Sequence, residues 1–521
     1  MFNRETLVNQ VKSNSNWDVI IIGGGATGLG VALDAATRGY KTLLLEQVDF
    51  AKGTSSRSTK LVHGGVRYLA QGNVDLVREA LYERGLMLKN ASHLVSKQSF
   101  IIPNYRWFDS AFYTLGLKVY DLLSGKLSFG KSTRINKSET VSRLSTLKND
   151  KLKGGVVYYD GQFDDARLAI NIAQSCIENG ATVLNHFKVN TLLKNTDGKI
   201  NGVVAIDTES GLEYKLNAAV VINATGVFSD AVLKMDNISA KTSIRPSQGI
   251  HLVFDKSYLP GKDAIMLPKT EDGRVLFLVP WHNKVVVGTT DTLLDSHSLE
   301  PKPLEQEIDF ILQTANKYLN KKVTRKDVLS IFAGLRPLAA PKGNSEKTKE
   351  ISRSHKIIVS SSGLITITGG KWTTYRRMAQ DTINKVIALK KLPKLKCKTK
   401  DLLIHGANGI VDRSNHLYIY GTDQTLITDL ISENPDLSAR LHPRLKFTKA
   451  EVVLAVRNEM ARTIDDVLAR RVRVLFLDAK AAIEIAPLVG ELIREELNQT
   501  TAWKAEQISD FVKMAEQYVL K

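Results

Sequence analysis

The chain has 521 residues, 43% of them hydrophobic, which is ordinary for a globular protein and leaves room for about three domains. Its formal net charge of +18 favours an anionic partner, whether nucleic acid, membrane surface or small substrate; a basic surface kept for solubility is the alternative. The two cysteines, Cys176 and Cys397, lie far apart and argue against a disulfide framework or a thiolate metal site.

Neither a targeting segment nor a membrane-spanning helix is predicted. Residues 1–16 are polar and lack the apolar stretch of an export signal, and a run of about 18 apolar residues does not occur. We therefore expect a soluble or peripheral protein in a reducing compartment.

The stretch from Asp18 to Glu46 has the order strand, tight turn, helix, strand that is typical of a dinucleotide-binding fold. Three glycines at GxGxxG spacing each serve a mechanical purpose. Gly23 makes the turn, Gly25 lets the backbone approach a pyrophosphate, and Gly28 lets the helix pack closely on the strand. The second strand ends on Glu46, roughly 20 residues past the glycines, where this fold holds ribose hydroxyls. The sequence therefore predicts a bound dinucleotide.

A polar loop from Gly53 to Tyr68 follows, and it is too long for a simple connection. Its glycines and small hydroxyl residues allow close access to the backbone, while Arg67 and Tyr68 offer donors for an anion. We expect this loop to bind a ligand; a solvated loop rich in serine and threonine is the alternative.

Two later turns are predicted to reach the same cofactor. A buried strand ends in Ala224-Thr225-Gly226, whose small residues permit close approach of the backbone. The stretch from Gly369 to Thr374 leads from a strand into a helix and provides a second helix start that suits an anion. The cofactor domain is therefore expected to be discontinuous in sequence.

Three further stretches complete the expected organisation. Alternating apolar runs from Ser247 to Thr290 predict an inserted antiparallel sheet. Helical patterns beyond the basic linker at 390–400 predict a separate α-helical domain, which includes one helix from Ile464 to Phe476. Aromatic, apolar and basic residues interleave from Tyr105 to Arg134, a pattern that suits a membrane interface or, equally, an amphipathic core helix.

From about Trp17 to Leu389 the chain closely resembles the FAD-dependent glycerol-3-phosphate dehydrogenases. The resemblance is carried by GGGATG with LLLE, TSSRSTKLVHGGVRYL, YYDGQFDDARL, VINATGVFSD, SQGIHLVF, VLFLVPW with VVVGTTD, FAGLRPL and ITGGKWTTYR. From Glu459, EMARTIDDVLARRVRVLFLD resembles the C-terminal helical domain of that family. A single motif would indicate only an FAD-binding oxidoreductase, whereas HGGVRYL together with GLRPL and GGKWTTYR is specific.

The expected fold class is α/β (α+β), with three parts. A discontinuous, Rossmann-like FAD-binding domain is expected at 17–72, 150–242 and 354–390. An inserted antiparallel β-sheet substrate (cap) domain is expected at 73–149 and 243–353. A C-terminal α-helical domain is expected at 398–521.

The resemblance implies oxidation of sn-glycerol 3-phosphate at C2 to dihydroxyacetone phosphate, with FAD taking the hydride at N5 and a membrane quinone reoxidising the cofactor. It implies a cytoplasmic protein, peripheral on the inner face of the cell membrane, with an anionic membrane surface as a partner, and it leaves a homodimer open. The dianionic substrate and the membrane-dissolved acceptor would both account for the positive charge.

Two alternatives stay open at this point. The first is a glycerophosphate oxidase, which hands electrons to O2 and produces H2O2. The second is a basic flavoprotein that binds RNA. An aromatic-rich platform of the kind used for single strands is not found in the sequence, so nucleic acid is not an expected partner.

The family's substrate contacts fall on six residues of this sequence: Arg67, Tyr68, His251, Arg336, Arg353 and Lys371. Guanidinium groups can hold phosphate oxygens bidentately, so Arg67 and Arg353 are assigned to the phosphate, with the Tyr68 phenol. A neutral imidazole suits removal of the C2 hydroxyl proton near pH 7, which makes His251 the expected base.

Arg336 is expected to stabilise the developing alkoxide, and Lys371 to hold negative charge near the reduced flavin. The resemblance further implies that the cofactor is held by Gly23, Gly25, Gly28, Glu46, Thr54, Ser55, Ser58, Lys60, Leu61, Val189, Ala224, Gly226, Gly370, Lys371, Trp372 and Thr373. A calcium loop of the D-x-[DN]-x-[DN]-G type is not present in the sequence, and a metal is not predicted.

Overall fold

The computed structural model describes residues 2–69, 72–268, 270, 273–339, 354–390 and 392–521. The strands in this part of the chain are β1 (Asn16–Ile22), β2 (Thr42–Leu45), β3 (Leu61–Val62), β4 (Val95–Asn104), β5 (Thr133–Asn136), β6 (Gly154–Phe163), β7 (Thr182–Leu184), β8 (Phe187–Lys194), β9 (Ile200–Asp207), β10 (Glu213–Asn223), β11 (Ile244–Asp255), β12 (Ala264–Leu267), β13 (Leu276–Trp281), β14 (Lys284–Gly288), β15 (Thr292–Leu293), β16 (Ser330–Ala339), β17 (Lys356–Val359) and β18 (Ile365–Thr368).

The helices are α1 (Arg4–Ser13), α2 (Ala26–Thr37), α3 (Val66–Leu69), α4 (Val74–Asn90), α5 (Trp107–Ser124), α6 (Lys137–Arg143), α7 (Asp165–Glu178), α8 (Ser229–Asp236), α9 (Glu305–Tyr318), α10 (Tyr375–Lys390), α11 (Gln424–Glu433), α12 (Lys449–Asn458), α13 (Val474–Leu477), α14 (Ala479–Glu496) and α15 (Thr501–Ala515).

The first sheet has the strand order β17-β18-β10-β1-β2-β7, and its strands from β18 to β7 run parallel. The residues of β1 from Val19 to Ile22 are all buried, as expected of a parallel strand that is covered on both faces. Helix α2 is buried along its length and packs against α10, where Gly30 faces Tyr375. The central strands come from distant parts of the chain, which confirms the discontinuous Rossmann-like domain.

The second sheet has the order β15-β11-β14-β13-β12-β4-β6-β3, with β16 added to β11 and β5 to β6. All its pairings are antiparallel in the described residues except that between β12 and β4. The sequence-based boundary at residue 150 assigns β6 to the cofactor domain, whereas the structure pairs β6 with β4 and β5. Its length and apolar character suit either sheet, and only its hydrogen-bonded neighbours decide.

The C-terminal part of the chain is helical, from α11 to α15, but the single helix expected from Ile464 to Phe476 is wrong. One wide turn occupies Asp466–Arg471, Arg473 has a left-handed φ of +62°, and α13 starts after it. A left-handed backbone costs an arginine free energy, so tertiary contacts must compensate. Those contacts are buried ion pairs.

Buried arginines join this C-terminal part to the first sheet. The guanidinium of Arg167, on α7, donates to both carboxylate oxygens of Glu459 at 2.7 and 2.6 Å. Arg470 and Arg471 both reach the carboxylate of Asp49, at 2.5 and 2.6 Å. All these side chains are almost fully buried, so each charge depends on its partner.

The substitution Arg167→Gln is expected to lower the free energy of unfolding by about 3–5 kcal/mol, because the buried carboxylate of Glu459 loses its bidentate partner and keeps only the longer contact with Arg471 at 3.8 Å. Urea unfolding followed by circular dichroism measures this. The matched control is Arg457→Gln, which breaks the half-exposed Arg457–Glu496 pair (2.6 Å) and is expected to cost less than about 1 kcal/mol. Equal losses in the two variants would contradict the prediction.

Candidate active site

Three adjoining cavities run from the carboxyl end of β1 to the face of the second sheet. Their volumes are about 360, 240 and 200 Å³. The first and second share Thr54, Gly370 and Trp372 in their walls, and the second and third share Tyr68 and Arg336. The three cavities therefore lie side by side, and together, as what we call the channel, they offer room for an extended cofactor beside a small substrate.

The first cavity has the features of a dinucleotide site. The carboxylate of Glu46 accepts hydrogen bonds from the N–H groups of Gly24 at 2.6 Å and Val48 at 3.0 Å. Burial raises the pKa of Glu46. A Cβ on Gly28 would collide with the carbonyl oxygen of Gly23, so the glycine is what allows α2 to start against the turn.

The loop after β2 forms the wall between the first and second cavities. The hydroxyl of Ser55 accepts a hydrogen bond from the N–H of Ala26 at 2.9 Å, and its carbonyl accepts one from the indole of Trp372 at 2.9 Å. Trp372 follows Gly370, whose φ is +73°. This loop thereby connects the start of α2 to the turn after β18, although these segments are more than 300 residues apart in sequence.

His251 lies on β11 in the wall of the second cavity and is only 2% exposed. Its Nε2 is 2.9 Å from the hydroxyl oxygen of Thr59, and its ring stacks on Phe332 with the centroids 4.9 Å apart. Its Nδ1 is buried, with a hydrogen-bond partner found nowhere in the described part of the chain. Burial, with the positive charges of Lys60 and Arg336, holds the pKa of His251 well below its ordinary value.

Arg336, on β16, stands at the junction of the second and third cavities. Its guanidinium donates to the carbonyl of Thr290 at 3.1 Å and lies 3.3 Å from a carboxylate oxygen of Asp291. The side chain is 26% exposed and faces the cavities. The two partners hold its charge beside the imidazole of His251.

Lys371 and Tyr68 also line the second cavity. The ammonium nitrogen of Lys371 lies 3.9 Å from the centroid of the Tyr68 ring, which is close enough for a cation–π contact. With Arg57 and Arg336, the cavity has three cations and a phenol in its wall. This composition suits a small anionic ligand.

The chain matches a family model described as FAD dependent oxidoreductase over residues 18–376, and one described as C-terminal domain of alpha-glycerophosphate oxidase over 364–507. It is 40% identical to mitochondrial glycerol-3-phosphate dehydrogenases of Schizosaccharomyces pombe (98% of this chain, 89% of that protein) and Homo sapiens (97% and 74%). The chain belongs to the FAD-dependent glycerol-3-phosphate dehydrogenase family. The crystal structure of a Bacillus halodurans glycerol-3-phosphate dehydrogenase complexed with FAD is similar throughout, with a TM-score of 0.81, 29% identity and coverage of 100% of this chain and 99% of that one.

Membership of this family makes FAD the cofactor, and the first two cavities fit it. The buried carboxylate of Glu46 would suit the ribose hydroxyls, the glycine turn would suit the pyrophosphate, and the hydrophobic and hydroxyl-rich wall that includes Trp372 and Ser58 would suit the flavin ring. The sequence-predicted residues that line the channel are Gly23, Gly25, Glu46, Thr54, Ser55, Ser58, Leu61, Tyr68, Val189, Ala224, Gly226, His251, Arg336, Gly370, Lys371, Trp372 and Thr373.

Four predicted site residues do not appear in the walls of the three cavities. Gly28 and Lys60 lie behind the cavity wall, and the ammonium of Lys60 is bound to the Asp165 carboxylate at 2.7 Å. Arg353 lies outside the described residues, and so does the side chain of Arg67. The phosphate roles of these two arginines stay predictions.

Several residues around the site were not singled out by sequence reasoning. Thr59 contacts the base candidate, Asp291 and Thr290 hold Arg336, and Asp165 holds the loop at Ser58 at 2.7 Å. Three of them, Thr290, Asp291 and Asp165, belong to the motifs GTTD and FDDARL, which served above only to identify the family. Their partners lie more than 40 residues away, and no local pattern reveals such pairings.

Within the described residues, groups of three or more histidine, cysteine, aspartate or glutamate side chains placed to hold a metal ion are absent.

The substitution Gly28→Ala is expected to lower the flavin content of the purified protein, because the added Cβ would collide with a backbone oxygen of Gly23 and displace α2 from the turn. The ratio of flavin to protein absorbance measures it. Gly116→Ala on α5 is the control, since a Cβ there meets no atom of the described residues within 4 Å. Full flavin content in Gly28→Ala would contradict the role of this contact.

Proposed function

We propose that this chain oxidises sn-glycerol 3-phosphate at C2 to dihydroxyacetone phosphate and passes the electrons to a membrane quinone. The observation that carries the proposal is the convergence of His251, Arg336, Lys371 and Tyr68 on one cavity at the flavin end of the channel. Relatives that are 40% identical over nearly the whole chain carry the name of this activity.

The phosphate of the substrate is held by positive charge in this proposal. Lys371 and Tyr68 lie in contact at one side of the cavity, and Arg67 and Arg353 are added on the strength of the family resemblance. A guanidinium can donate two parallel hydrogen bonds to phosphate oxygens, and an ammonium contributes a compact charge. Glycerol, which lacks the phosphate, should therefore bind weakly.

His251 takes the proton of the C2 hydroxyl. Its lowered pKa keeps the imidazole neutral at pH 7, so a ring nitrogen is free to accept a proton. Thr59 and Phe332 fix the orientation of the ring. Arg336 stabilises the alkoxide as the hydroxyl loses its proton, with its own position set by Asp291. FAD, when bound, supplies the acceptor for the C2 hydride at N5 of its ring.

Helix α5 supports a peripheral contact with an anionic membrane. An apolar stripe at helical spacing is exposed: Phe108 by 84%, Phe112 by 69%, Leu115 by 70% and Leu122 by 80%. Lys118 and nearby cations of the following segment are also exposed. Apolar side chains that enter the headgroup region, flanked by cations, are typical of helices that lie on an anionic bilayer.

Among the helices of the described residues, α5 included, none has both the length and the apolar character needed to cross a bilayer. We propose that the protein works at the cytoplasmic face of the cell membrane, where α5 brings the site close to a quinone dissolved in the lipid. O2 is the alternative acceptor, because the family model that matches the C-terminal part of the chain is described as a domain of alpha-glycerophosphate oxidase.

The first prediction from this function concerns the flavin absorption band. Anaerobic addition of sn-glycerol 3-phosphate to the holoenzyme is expected to bleach the band, whereas glycerol and lactate leave it unchanged, because the cavity requires the phosphate. An unchanged band with all three compounds would remove the substrate assignment.

The same reduced enzyme tests the acceptor. A short-chain quinone is expected to restore the absorption band much faster than air does. Reoxidation by air with stoichiometric H2O2, and no gain from quinone, would assign the chain to the oxidases.

The substitution His251→Asn is expected to slow flavin reduction roughly 100-fold, because the general base is lost. In the unmodified enzyme the reduction rate should stay constant from about pH 8 to about pH 6.5, where an imidazole of ordinary pKa would already be half protonated. Stopped-flow absorbance at saturating substrate measures both. The control His442→Asn changes a histidine bound to Glu484, far from the channel, and should leave the rate unchanged. A near-normal rate in His251→Asn would transfer the proton-abstracting role away from this residue.

The double substitution Phe108→Ser/Leu122→Ser is expected to reduce co-sedimentation with phosphatidylglycerol liposomes at low salt, because it removes two apolar contacts of α5. The control Ile410→Ser removes a side chain that is 98% exposed elsewhere on the surface and should leave binding unchanged. Failure of the unmodified protein to co-sediment would sink the membrane proposal.

A further inference from the structure

A single buried carboxylate holds the loop that forms the flavin wall. Oδ2 of Asp165, at the start of α7, accepts hydrogen bonds from the N–H of Ser58 at 3.1 Å, the hydroxyl of Ser58 at 2.7 Å and the ammonium of Lys60 at 2.7 Å. Asp165 and Lys60 are both completely buried. Three donors from one short loop thus converge on one oxygen.

The other oxygen of this carboxylate is bound by the C-terminal part of the chain. Nη2 of Arg473 donates to Oδ1 of Asp165 at 2.7 Å and also contacts the carbonyl oxygen of Ser56 at 3.2 Å. Lys60 donates to the same carbonyl at 2.7 Å. Arg473 and Lys60 therefore both donate to the carbonyl of Ser56, on the side of the loop away from the cavity, and both bind the carboxylate of Asp165.

The front of the same loop faces the site. Ser58, Thr59 and Leu61 line the second cavity, and the hydroxyl of Thr59 lies 2.9 Å from Nε2 of His251. A shift of the loop at Ser58 moves Thr59 with it, because the two are adjacent in the chain. The position of the imidazole and the shape of the flavin wall thus depend on contacts made behind the loop.

We propose that Arg473 is a positioning residue through which the C-terminal helical domain fixes the flavin wall and the orientation of His251. Arg473 does not line any of the three described cavities, so it acts indirectly, through Asp165 and the loop from Ser56 to Lys60. The effect on turnover rests on the proposed function, whereas the effect on FAD retention does not.

The local backbone supports this role. Arg473 adopts its left-handed φ of +62° between the wide turn and α13, and its Nη1 is held by the carbonyl of Ala469 at 2.7 Å. A left-handed arginine is retained where surrounding contacts over-determine it, and such residues cluster at functional sites. The break in the expected helix is what brings the guanidinium to Asp165.

The charge balance makes the role testable. When Arg473 is replaced by a neutral residue, Asp165 keeps Lys60 as its partner, so the loop keeps one of its two cationic supports. Asp164, which Arg473 also contacts at 3.4 Å, keeps its contact with His282 at 3.0 Å. Arg167 provides a matched comparison. It is equally buried at the same domain boundary, but its guanidinium binds Glu459 and does not touch the loop.

The experiment compares Arg473→Gln with Arg167→Gln as holoenzymes. FAD release is followed by the fluorescence of the freed cofactor after dilution. Steady-state oxidation of sn-glycerol 3-phosphate, with an electron-accepting dye, is measured per retained FAD. Arg473→Gln is expected to release FAD about 10-fold faster and to lower kcat by roughly 10- to 100-fold, with a smaller change in KM. Arg167→Gln is expected to lose stability while keeping FAD release and kcat near those of the unmodified enzyme.

Equal FAD release and equal kcat in the two variants would overturn the proposal and leave Arg473 as a clamp between domains. If Arg473→Gln does not fold, Arg473→Lys is compared with Arg167→Lys, since lysine keeps the charge but loses the fork of donors. Faster FAD release in Arg473→Lys alone supports the proposal, and equal release overturns it. Absence of any substrate-driven bleaching in the unmodified enzyme would refute the proposed function, and FAD release would still decide the role of Arg473.

Discussion

The close approach of helix α2 to strand β1 is the constraint on which the rest of the site depends. Glycine at position 28 leaves room for the carbonyl of Gly23, so the helix starts directly against the turn. At that point the N–H of Gly24 donates to the carboxylate of Glu46, and the N–H of Ala26 donates to the hydroxyl of Ser55. One backbone contact thus sets where α2 begins. Around that point lie the loop after β2, the turn at Trp372 that is hydrogen-bonded to it, and the second sheet.

Buried charge is the second organising feature of the protein. The sequence has an excess of 18 positive charges, and some of its arginines lie in the interior instead of on the surface: Arg84, Arg167, Arg470, Arg471 and Arg473 are completely or almost completely buried. Each is bound to a carboxylate, because an unpaired buried guanidinium would be prohibitively costly. All of these pairs except Arg84–Asp160 attach the C-terminal part of the chain to the part that precedes it, and the pair of Arg473 with Asp165 lies behind the loop at Ser58.

The site combines contributions that no single element could provide. His251 and Arg336 lie on the neighbouring strands β11 and β16 of the antiparallel sheet. Their positions along these strands bring both side chains to the cavity that the loop after β2 also lines. The cation of Lys371 arrives from the turn that starts α10, and Tyr68 from the short helix after the loop. Burial, together with the nearby positive charges of Lys60 and Arg336, then holds the pKa of the imidazole well below its ordinary value.

The sequence by itself determined the FAD-binding fold, its discontinuity and the family, because strand–turn–helix chemistry and glycine spacing are local properties. It also marked most residues that line the channel, from Gly23 to Trp372. Only the tertiary structure decided the sheet to which β6 belongs, the break before Arg473 and the burial of Lys60 on Asp165. These depend on hydrogen bonds and ion pairs between distant segments, and local periodicity contains no information about such partners.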